Sequence, residues 1–392
     1  MGNRELFFSL LRSEILGEPI EAAASEVLDT ERAGALLKLA KAQDLAHILA
    51  AALLRTGVLI KDPCDEKASA LKRICEREQM LAVYRYEKLA YAQKEISEIF
   101  TQEKIPHVLL KGAVIRCFYP HPWHRSSCDV DILVHEEDLS RACAALCDRA
   151  GYRVEGKKKF HDIHLYSQGG VHLELHFNLL STYERCDAVL SRVWDFVNEN
   201  ANNCYLFELK SAFFVFHHTA HMAYHFREGG CGIKPFLDLF IMQTRMGADF
   251  DGARVLLSEA GLLSFFENAL ALTDAWLFGK AHTALTLKTE KYILSGGVYG
   301  TVDNAVLAKQ GRSGGRIGYA LGRIFAPKET LARTYPVLCR HPWLLPFLQV
   351  RRWLRILFGG RLFRGVRELS ANQRVSKEEA DAAAHFLTEL GL

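Results

Sequence analysis

The chain has 392 residues, of which 49% are hydrophobic and 24% charged, and its formal net charge is +3. This composition is that of a folded globular protein and excludes a disordered chain, a collagen and a continuous coiled coil. The length suggests two domains, or one domain with helical extensions, and the small net charge gives no reason to expect that the chain as a whole binds nucleic acid or membrane.

Residues 1–104 are predicted to be helical. Ala and Leu recur at helical spacing from Ala33 to Leu54, and apolar residues recur every three or four positions from Cys64 to Lys104. Asp65 fits the N-cap of the second of these helices. The first residues carry acidic side chains, so they predict an amphipathic helix rather than a secretory signal.

Residues 105–205 are predicted to form an α+β unit with a small mixed β-sheet. Short strands are expected at 107–110, 128–134, 152–154, 162–166 and 171–177. A helix from Glu136 to Ala150 should end at Gly151, because glycine commonly follows a helix C-terminus. Two mostly helical regions follow, at 206–300 and at 301–392.

The helices of these last regions are expected at 211–226, 234–246, 256–278 and 377–390, and Gly311–Gly315 predicts a flexible break. The ten cysteines form no CxxC pair, and no apolar run approaches the length of about 18 residues that spans a bilayer. We therefore expect free thiols in a reducing cytoplasm.

The most informative residues are two carboxylates within the strand at 128–134. Asp129 and Asp131 are two positions apart, so both side chains point to one face of the strand. Carboxylates this close repel each other unless a cation lies between them, and oxygen ligands of this kind suit Mg²⁺. A solvated strand end, or an aspartate that caps the next helix, is the structural alternative.

A third carboxylate lies on another predicted strand. Glu174 alternates with Leu173 and Leu175, so it shares a face with His172 and His176. Two-metal phosphoryl transfer needs a third acid of this kind next to an Asp-x-Asp pair.

A Lys-Gly pair precedes these carboxylates in the chain. Lys111 and Gly112 follow a strand and open a helix, a position that suits a phosphate because glycine admits the ligand close to the backbone and the helix N-terminus presents N–H groups. The pair comes before the Asp-x-Asp motif and the glutamate in the chain, and this order supports the phosphate-binding interpretation.

A stripe of histidines is the other candidate for metal chemistry. His217, His221 and His225 are four residues apart on a predicted helix, and Asp238 lies on the next one. They could bind a metal, as in a His/Asp phosphohydrolase. They could instead form a polar stripe that lines the active cleft, with Asp238 fixing the tautomer of one histidine.

Positive charge is concentrated in one segment. Residues 311–374 contain 13 Lys or Arg and two acidic residues. Within this segment, Arg351, Arg352 and Arg355 lie on a basic amphipathic stretch with Trp353. The stretch could cover a core while its arginines stay in water, or it could contact RNA, another polyanion or an anionic membrane.

Several segments together resemble the uncharacterised nucleotidyltransferase family of the DNA polymerase β-like superfamily. The central motifs of the resemblance are Leu109–Gly112, Tyr119–Pro120, Arg125, Asp129–Val134 and His172–His176. Its later motifs are Phe216–His221, Phe236–Leu239, Arg333–Pro336, His341–Pro346 and Arg351–Trp353. The resemblance covers roughly residues 30–360. The Gly-Ser turn that is common in the superfamily is absent, and Lys111–Gly112 stands in its place.

The resemblance implies a fold, a reaction and a set of roles. The fold would be a small mixed sheet of the polymerase β-like type, embedded in helical N- and C-terminal regions. Asp129, Asp131 and Glu174 would bind two Mg²⁺ ions and carry catalysis. The nucleotide would contact Lys111, Gly112 and Arg125, and the acceptor side would be lined by His176, His221 and Asp238.

The function that follows is Mg²⁺-dependent transfer of a nucleoside monophosphate from an NTP, with ATP as the first expectation, to an unidentified acceptor hydroxyl. The acceptor could be a small molecule, a protein or an RNA. Two alternatives stay open: a degenerate transferase fold that binds a nucleotide or RNA without chemistry, and the His/Asp metal phosphohydrolase.

Overall fold

The computed structural model describes residues 1–60, 64–156, 158, 160–180, 183–296, 306–307, 310, 316–335, 337–358 and 376–392. The chain forms two compact units: residues 1–220 with 232–291, and residues 221–231 with 292–392. The division of the sequence into four regions remains a prediction.

Helices dominate the described residues on both sides of the sheet region. The helices before it are α1 (Asn3–Leu16), α2 (Ala22–Val27), α3 (Thr30–Ala42), α4 (Ala46–Thr56) and α5 (Glu66–Gln102). Those within the sheet region are α6 (Gly112–Ile115), α7 (Leu139–Ala150) and α8 (Asp187–Leu190). Those after it are α9 (Ser211–Glu228), α10 (Lys234–Thr244), α11 (Phe250–Glu259), α12 (Leu263–Leu277), α13 (Ala284–Ser295), α14 (Arg316–Ile324), α15 (Lys328–Thr334), α16 (Val337–Arg340), α17 (Leu345–Phe358) and α18 (Lys377–Glu389). The predicted helical character of residues 1–104 is thereby confirmed for the described part of that region.

A mixed sheet of seven strands lies in the first unit. The strands are β1 (His107–Leu109), β2 (Asp129–Val134), β3 (Arg153–Glu155), β4 (Asp162–Tyr166), β5 (His172–His176), β6 (Val197–Asn200) and β7 (Asn203–Leu209). Their order is β3-β4-β5-β2-β1-β7-β6. The five predicted strands are confirmed. The sheet is larger than predicted, because β6 and β7 extend it beyond β1.

Helix α5 covers one face of this sheet. Its N-cap is Asp65, whose carboxylate accepts hydrogen bonds from the backbone of Lys67 and Ala68, as the sequence predicts. The buried stripe of α5, which includes Leu89 and Ile96, packs in one core with the apolar residues of β2. Those residues are Val130, Ile132 and Val134.

The alternation of acidic and apolar residues in β2 determines which face of the sheet its carboxylates occupy. Val130 and Ile132 are buried in the core beneath α5, so Asp129 and Asp131 project from the opposite face. Helix α7 also packs on the apolar side, and it ends at Gly151 with a backbone φ of +64°, as predicted.

The single helix predicted at 256–278 is wrong. The chain instead forms α11 and α12, and the break lies at Gly261, whose φ is +66°. A left-handed residue cannot continue an α-helix, and glycine adopts that conformation without a steric penalty. The apolar periodicity continues through the break because both helices bury one face.

The second unit has its own small core. Ala326, Leu331, Leu338 and Leu348 pack together, and Gln349 donates its side-chain N–H to the carbonyl of Ala326. The break predicted at 311–315 lies outside the described residues.

The basic stretch of α17 is partly engaged within this unit. Arg352 and Trp353 both donate to the carbonyl of Ile324, at 3.0 and 2.7 Å. Arg351 and Arg355 are exposed. In the described part of the chain, no helix is both long and apolar enough to cross a membrane. All ten cysteines are described, and all are free thiols.

Candidate active site

The candidate site lies where β2 and β5 run side by side. The two strands are parallel, and their register places Asp131 opposite Glu174 and Asp129 opposite His172. Because paired residues in a sheet project on the same side, all three predicted carboxylates share the polar face. The apolar residues between them hold the opposite face against α5.

Asp131 is the most constrained of the three acids. Its side chain is 6% exposed, and its Oδ1 accepts hydrogen bonds from Lys111 Nζ at 2.8 Å and His176 Nε2 at 3.0 Å. Burial disfavours the carboxylate, but Lys111 and His176 outweigh it and hold the pKa of Asp131 well below its usual value. Asp131 is therefore ionised at neutral pH.

Lys111 supplies the cation next to that carboxylate. Burial disfavours its ammonium, yet the charge of Asp131 outweighs burial and keeps the pKa of Lys111 above its usual value. The backbone of Lys111 has φ +45° and ψ −120°, a conformation that residues other than glycine rarely adopt. Strain of this kind is typical of residues that are held in place at functional sites.

Glu174 forms no ion pair with a lysine or arginine among the described residues. Its carboxylate lies 3.7 Å from His176 Nε2, and burial together with repulsion from Asp131 raises the pKa of Glu174 to about 7. Burial also lowers the pKa of His176, so the imidazole is neutral and donates through Nε2. The charge of Lys111 thus compensates that of Glu174 only in part when Glu174 ionises.

The residues present fit a divalent cation. Ligand atoms of Asp131, Glu174 and His176 all lie within 4.8 Å of one another. Asp129 is half-buried on the same face and accepts a long hydrogen bond of 3.5 Å from Ser127. Three carboxylates thus surround one ammonium in the described residues. Oxygen donors with excess negative charge suit Mg²⁺ or Mn²⁺.

The contact of Gly112 with the nucleotide stays a prediction. Gly112 opens α6, but that helix has only four residues, so its macrodipole is small. A Cβ at Gly112 would lie 3.0 Å from Ser127 Oγ and 3.6 Å from Arg125 Nη1. The glycine therefore allows the loop that carries Ser127 to approach α6 closely.

Arg125 and Asp238 form a buried ion pair, and their contacts with the nucleotide and the acceptor stay predictions. Arg125 Nε lies 2.7 and 2.9 Å from the two carboxylate oxygens of Asp238, and the Tyr119 hydroxyl donates to Oδ1 at 2.7 Å. The Asp238 side chain is 0% exposed. The pair joins the loop before β2 to α10, which gives both residues a structural contact.

The histidine stripe is divided between the two compact units. His217 belongs to the first unit, where burial and the charge of Lys111 lower its pKa to about 3. His221 and His225 belong to the second, with Nε2 atoms 3.3 Å apart. His218 Nε2 bonds the carbonyl of Pro235. A role for His221 on the acceptor side stays a prediction.

The polar face extends onto β4, which the sequence reasoning did not include in the site. Asp162 lies opposite His176, and His164 lies opposite Glu174. His164 Nδ1 is 2.6 Å from His172 Nε2, and these two histidines form another potential ligand group with Glu174. The signal was present in the sequence, since polar residues alternate with Ile163 and Leu165.

One protein family matches this chain. A family model described as an uncharacterised nucleotidyltransferase matches residues 29–278. The match contains β1 to β7 and all three carboxylates, whereas the resemblance expected beyond residue 278 lies outside it. No curated protein matches the chain.

Proposed function

The chain belongs to the uncharacterised nucleotidyltransferase family, and we propose that it transfers a nucleoside monophosphate from an NTP to an acceptor hydroxyl with Mg²⁺. The observation that carries the proposal is the register of β2 and β5, which sets Asp131 opposite Glu174 on a polar face that also holds Asp129. We further propose that the sheet is of the polymerase β-like type, with the catalytic acids on two adjacent strands.

Asp129, Asp131 and Glu174 would hold the metal ions. When bound, divalent cations neutralise the triphosphate and polarise the acceptor hydroxyl. Lys111 keeps Asp131 ionised, and Lys111 and His176 together orient it through hydrogen bonds to the same oxygen, Oδ1. In the reaction, the acceptor oxygen forms a bond to the α-phosphorus, the bond from that phosphorus to pyrophosphate breaks, and the hydroxyl proton passes to Glu174.

The alternatives have less support. The phosphohydrolase would need Asp238 for a metal or for a histidine, but Asp238 is already bound to Arg125 and Tyr119. A purely binding protein would not require three acids on one face. Contact of Arg351, Arg352 and Arg355 with a polyanion remains a proposal, supported by the exposure of Arg351 and Arg355.

The fate of each phosphate tests the reaction type. The protein is incubated with Mg²⁺, a cell extract that supplies acceptors, and an NTP labelled on either the α- or the γ-phosphate. We expect α-label on the acceptor and γ-label in pyrophosphate. Release of γ-label as inorganic phosphate, with no α-label transferred, would instead indicate a hydrolase.

A further inference from the structure

A second charged site lies beside the candidate active site, in a cavity bounded by the start of α4, by α5, by Arg116 directly after α6, and by the loop before β2. The cavity has a volume of about 100 Å³. Its polar wall includes Arg85, Arg116 and Ser127. It is larger than the volume of one water molecule, about 30 Å³, and smaller than the pockets of drug-sized ligands. This size fits a single phosphate group.

Arg116 is a buried cation that forms no ion pair with any residue the structure describes. It is 3% exposed, and its Nε donates to the carbonyl of Gly112 at 2.7 Å. Its Nη2 has no hydrogen-bond partner among the described residues, and no carboxylate in that part of the chain forms an ion pair with it. Burial, with the charge of Arg125 added, lowers the pKa of Arg116. A buried guanidinium in this state is unfavourable unless a bound anion compensates it.

The acids in the cavity wall cannot supply that anion. Asp44 is already paired with Lys234 at 2.8 Å, and Glu78 is paired with Lys41 at 3.0 Å. Arg85 is exposed at the cavity and forms no ion pair with any described residue.

Arg125 also lines the cavity, but its charge is taken up by Asp238. The guanidinium groups of Arg85 and Arg116 therefore form no ion pair with any described carboxylate. Planar guanidinium groups favour phosphate oxygens, which accept paired hydrogen bonds.

We propose that Arg116 and Arg85 bind the phosphate group of a small phosphorylated molecule in this cavity. Arg116 and Tyr86 also line an adjoining cavity of about 450 Å³, which is in the size range of small-molecule sites and can hold the organic part of such a ligand. The site is separate from the carboxylates of β2 and β5, so it does not depend on the proposed function. One link between the two is Ser127, which lines the cavity and donates to Asp129.

The test uses inorganic phosphate as the probe, with the full-length protein, a chelator and constant ionic strength. Calorimetry and thermal unfolding are measured for the wild type, Arg116→Gln, Arg85→Gln and two controls. Arg73→Gln removes an exposed arginine from the same helix α5. Asp131→Asn disrupts the candidate metal site and leaves the cavity intact.

We expect phosphate to bind and to raise the unfolding temperature of the wild type and of both controls. Arg116→Gln should weaken binding at least tenfold, and Arg85→Gln at least threefold. A purely structural Arg116 predicts a less stable variant with an unchanged response to phosphate, and that result would overturn the proposal. Loss of binding in Asp131→Asn alone would also overturn it. If Arg116→Gln does not fold, unchanged phosphate affinity in Arg85→Gln is decisive against the site.

Discussion

Lys111 and Asp131 form a salt bridge of 2.8 Å at the centre of the candidate site. Lys111 lies between β1 and α6 in a strained backbone conformation, and Asp131 lies within β2. Twenty residues separate them in the sequence. The pair fixes the ionisation of one predicted metal ligand before any metal arrives, and it explains why a lysine occupies a backbone conformation that glycine would adopt more easily.

Two replacements of Lys111 distinguish the effect of its charge on stability from the effect of its backbone strain. Lys111→Met removes the ammonium and keeps the strain, whereas Lys111→Gly removes both. We expect both variants to lose transfer activity. Lys111→Met should be destabilised by about 1–3 kcal/mol because a buried carboxylate loses its charged partner. Lys111→Gly should be more stable than Lys111→Met by roughly 1 kcal/mol, as measured by urea unfolding. Equal stability of the two would show that the backbone is not strained.

Glu174 should destabilise the metal-free protein at alkaline pH. Its pKa is about 7 in the folded protein and its ordinary value is 4.5, so the folded state binds the proton more tightly than the unfolded state. Stability is then lost as the pH rises from about 4.5 through 7. With a chelator at pH 8, Glu174→Gln should be more stable than the wild type, by on the order of 1–3 kcal/mol.

The same variant should respond differently to metal. Added Mg²⁺ should raise the unfolding temperature of the wild type and leave that of Glu174→Gln nearly unchanged, because a ligand stabilises only the state that binds it. Asp148→Asn is the matched control, since Asp148 is an exposed carboxylate on α7. If Glu174→Gln is less stable than the wild type at pH 8 without metal, the inference that the ionised Glu174 carboxylate destabilises the metal-free protein is wrong.

Arg125 and Asp238 should behave as a structural pair. Removing one partner, as in Arg125→Met or Asp238→Leu, leaves a buried charge and should cost about 3–5 kcal/mol. The double variant should cost clearly less than the sum of the two single changes. Urea unfolding of the four proteins measures this coupling. If the double variant is stable but has lost affinity for NTP, then Arg125 contacts the nucleotide after all.

The sequence predicted the parts of the fold that depend on local patterns. Asp65 marked the start of α5, Gly151 marked the end of α7, and alternation identified β2 and β5. It did not reveal β6 and β7, because these strands are at most half-buried and carry Asn and Glu where a clear apolar face would otherwise appear.

The partner of Arg125 could not be predicted from local patterns, since Asp238 lies 113 residues away in the chain. The same holds for the register of β2 and β5. The sequence placed Asp131 and Glu174 on strands, but only the folded sheet aligns them directly. The sequence also could not predict that Arg116 forms no ion pair with the described residues, because that depends on three-dimensional packing.

The most direct test of the central claim is transfer of α-labelled phosphate to acceptors in a cell extract by the wild type, Asp131→Asn, Glu174→Gln and Asp148→Asn. Each protein is assayed with Mg²⁺ and with a chelator. We expect transfer by the wild type and Asp148→Asn only when Mg²⁺ is present, and a loss of at least a hundredfold in the other two variants, about 2.7 kcal/mol of transition-state stabilisation or more. Undiminished transfer by folded Asp131→Asn, or by the wild type in chelator, would contradict the account.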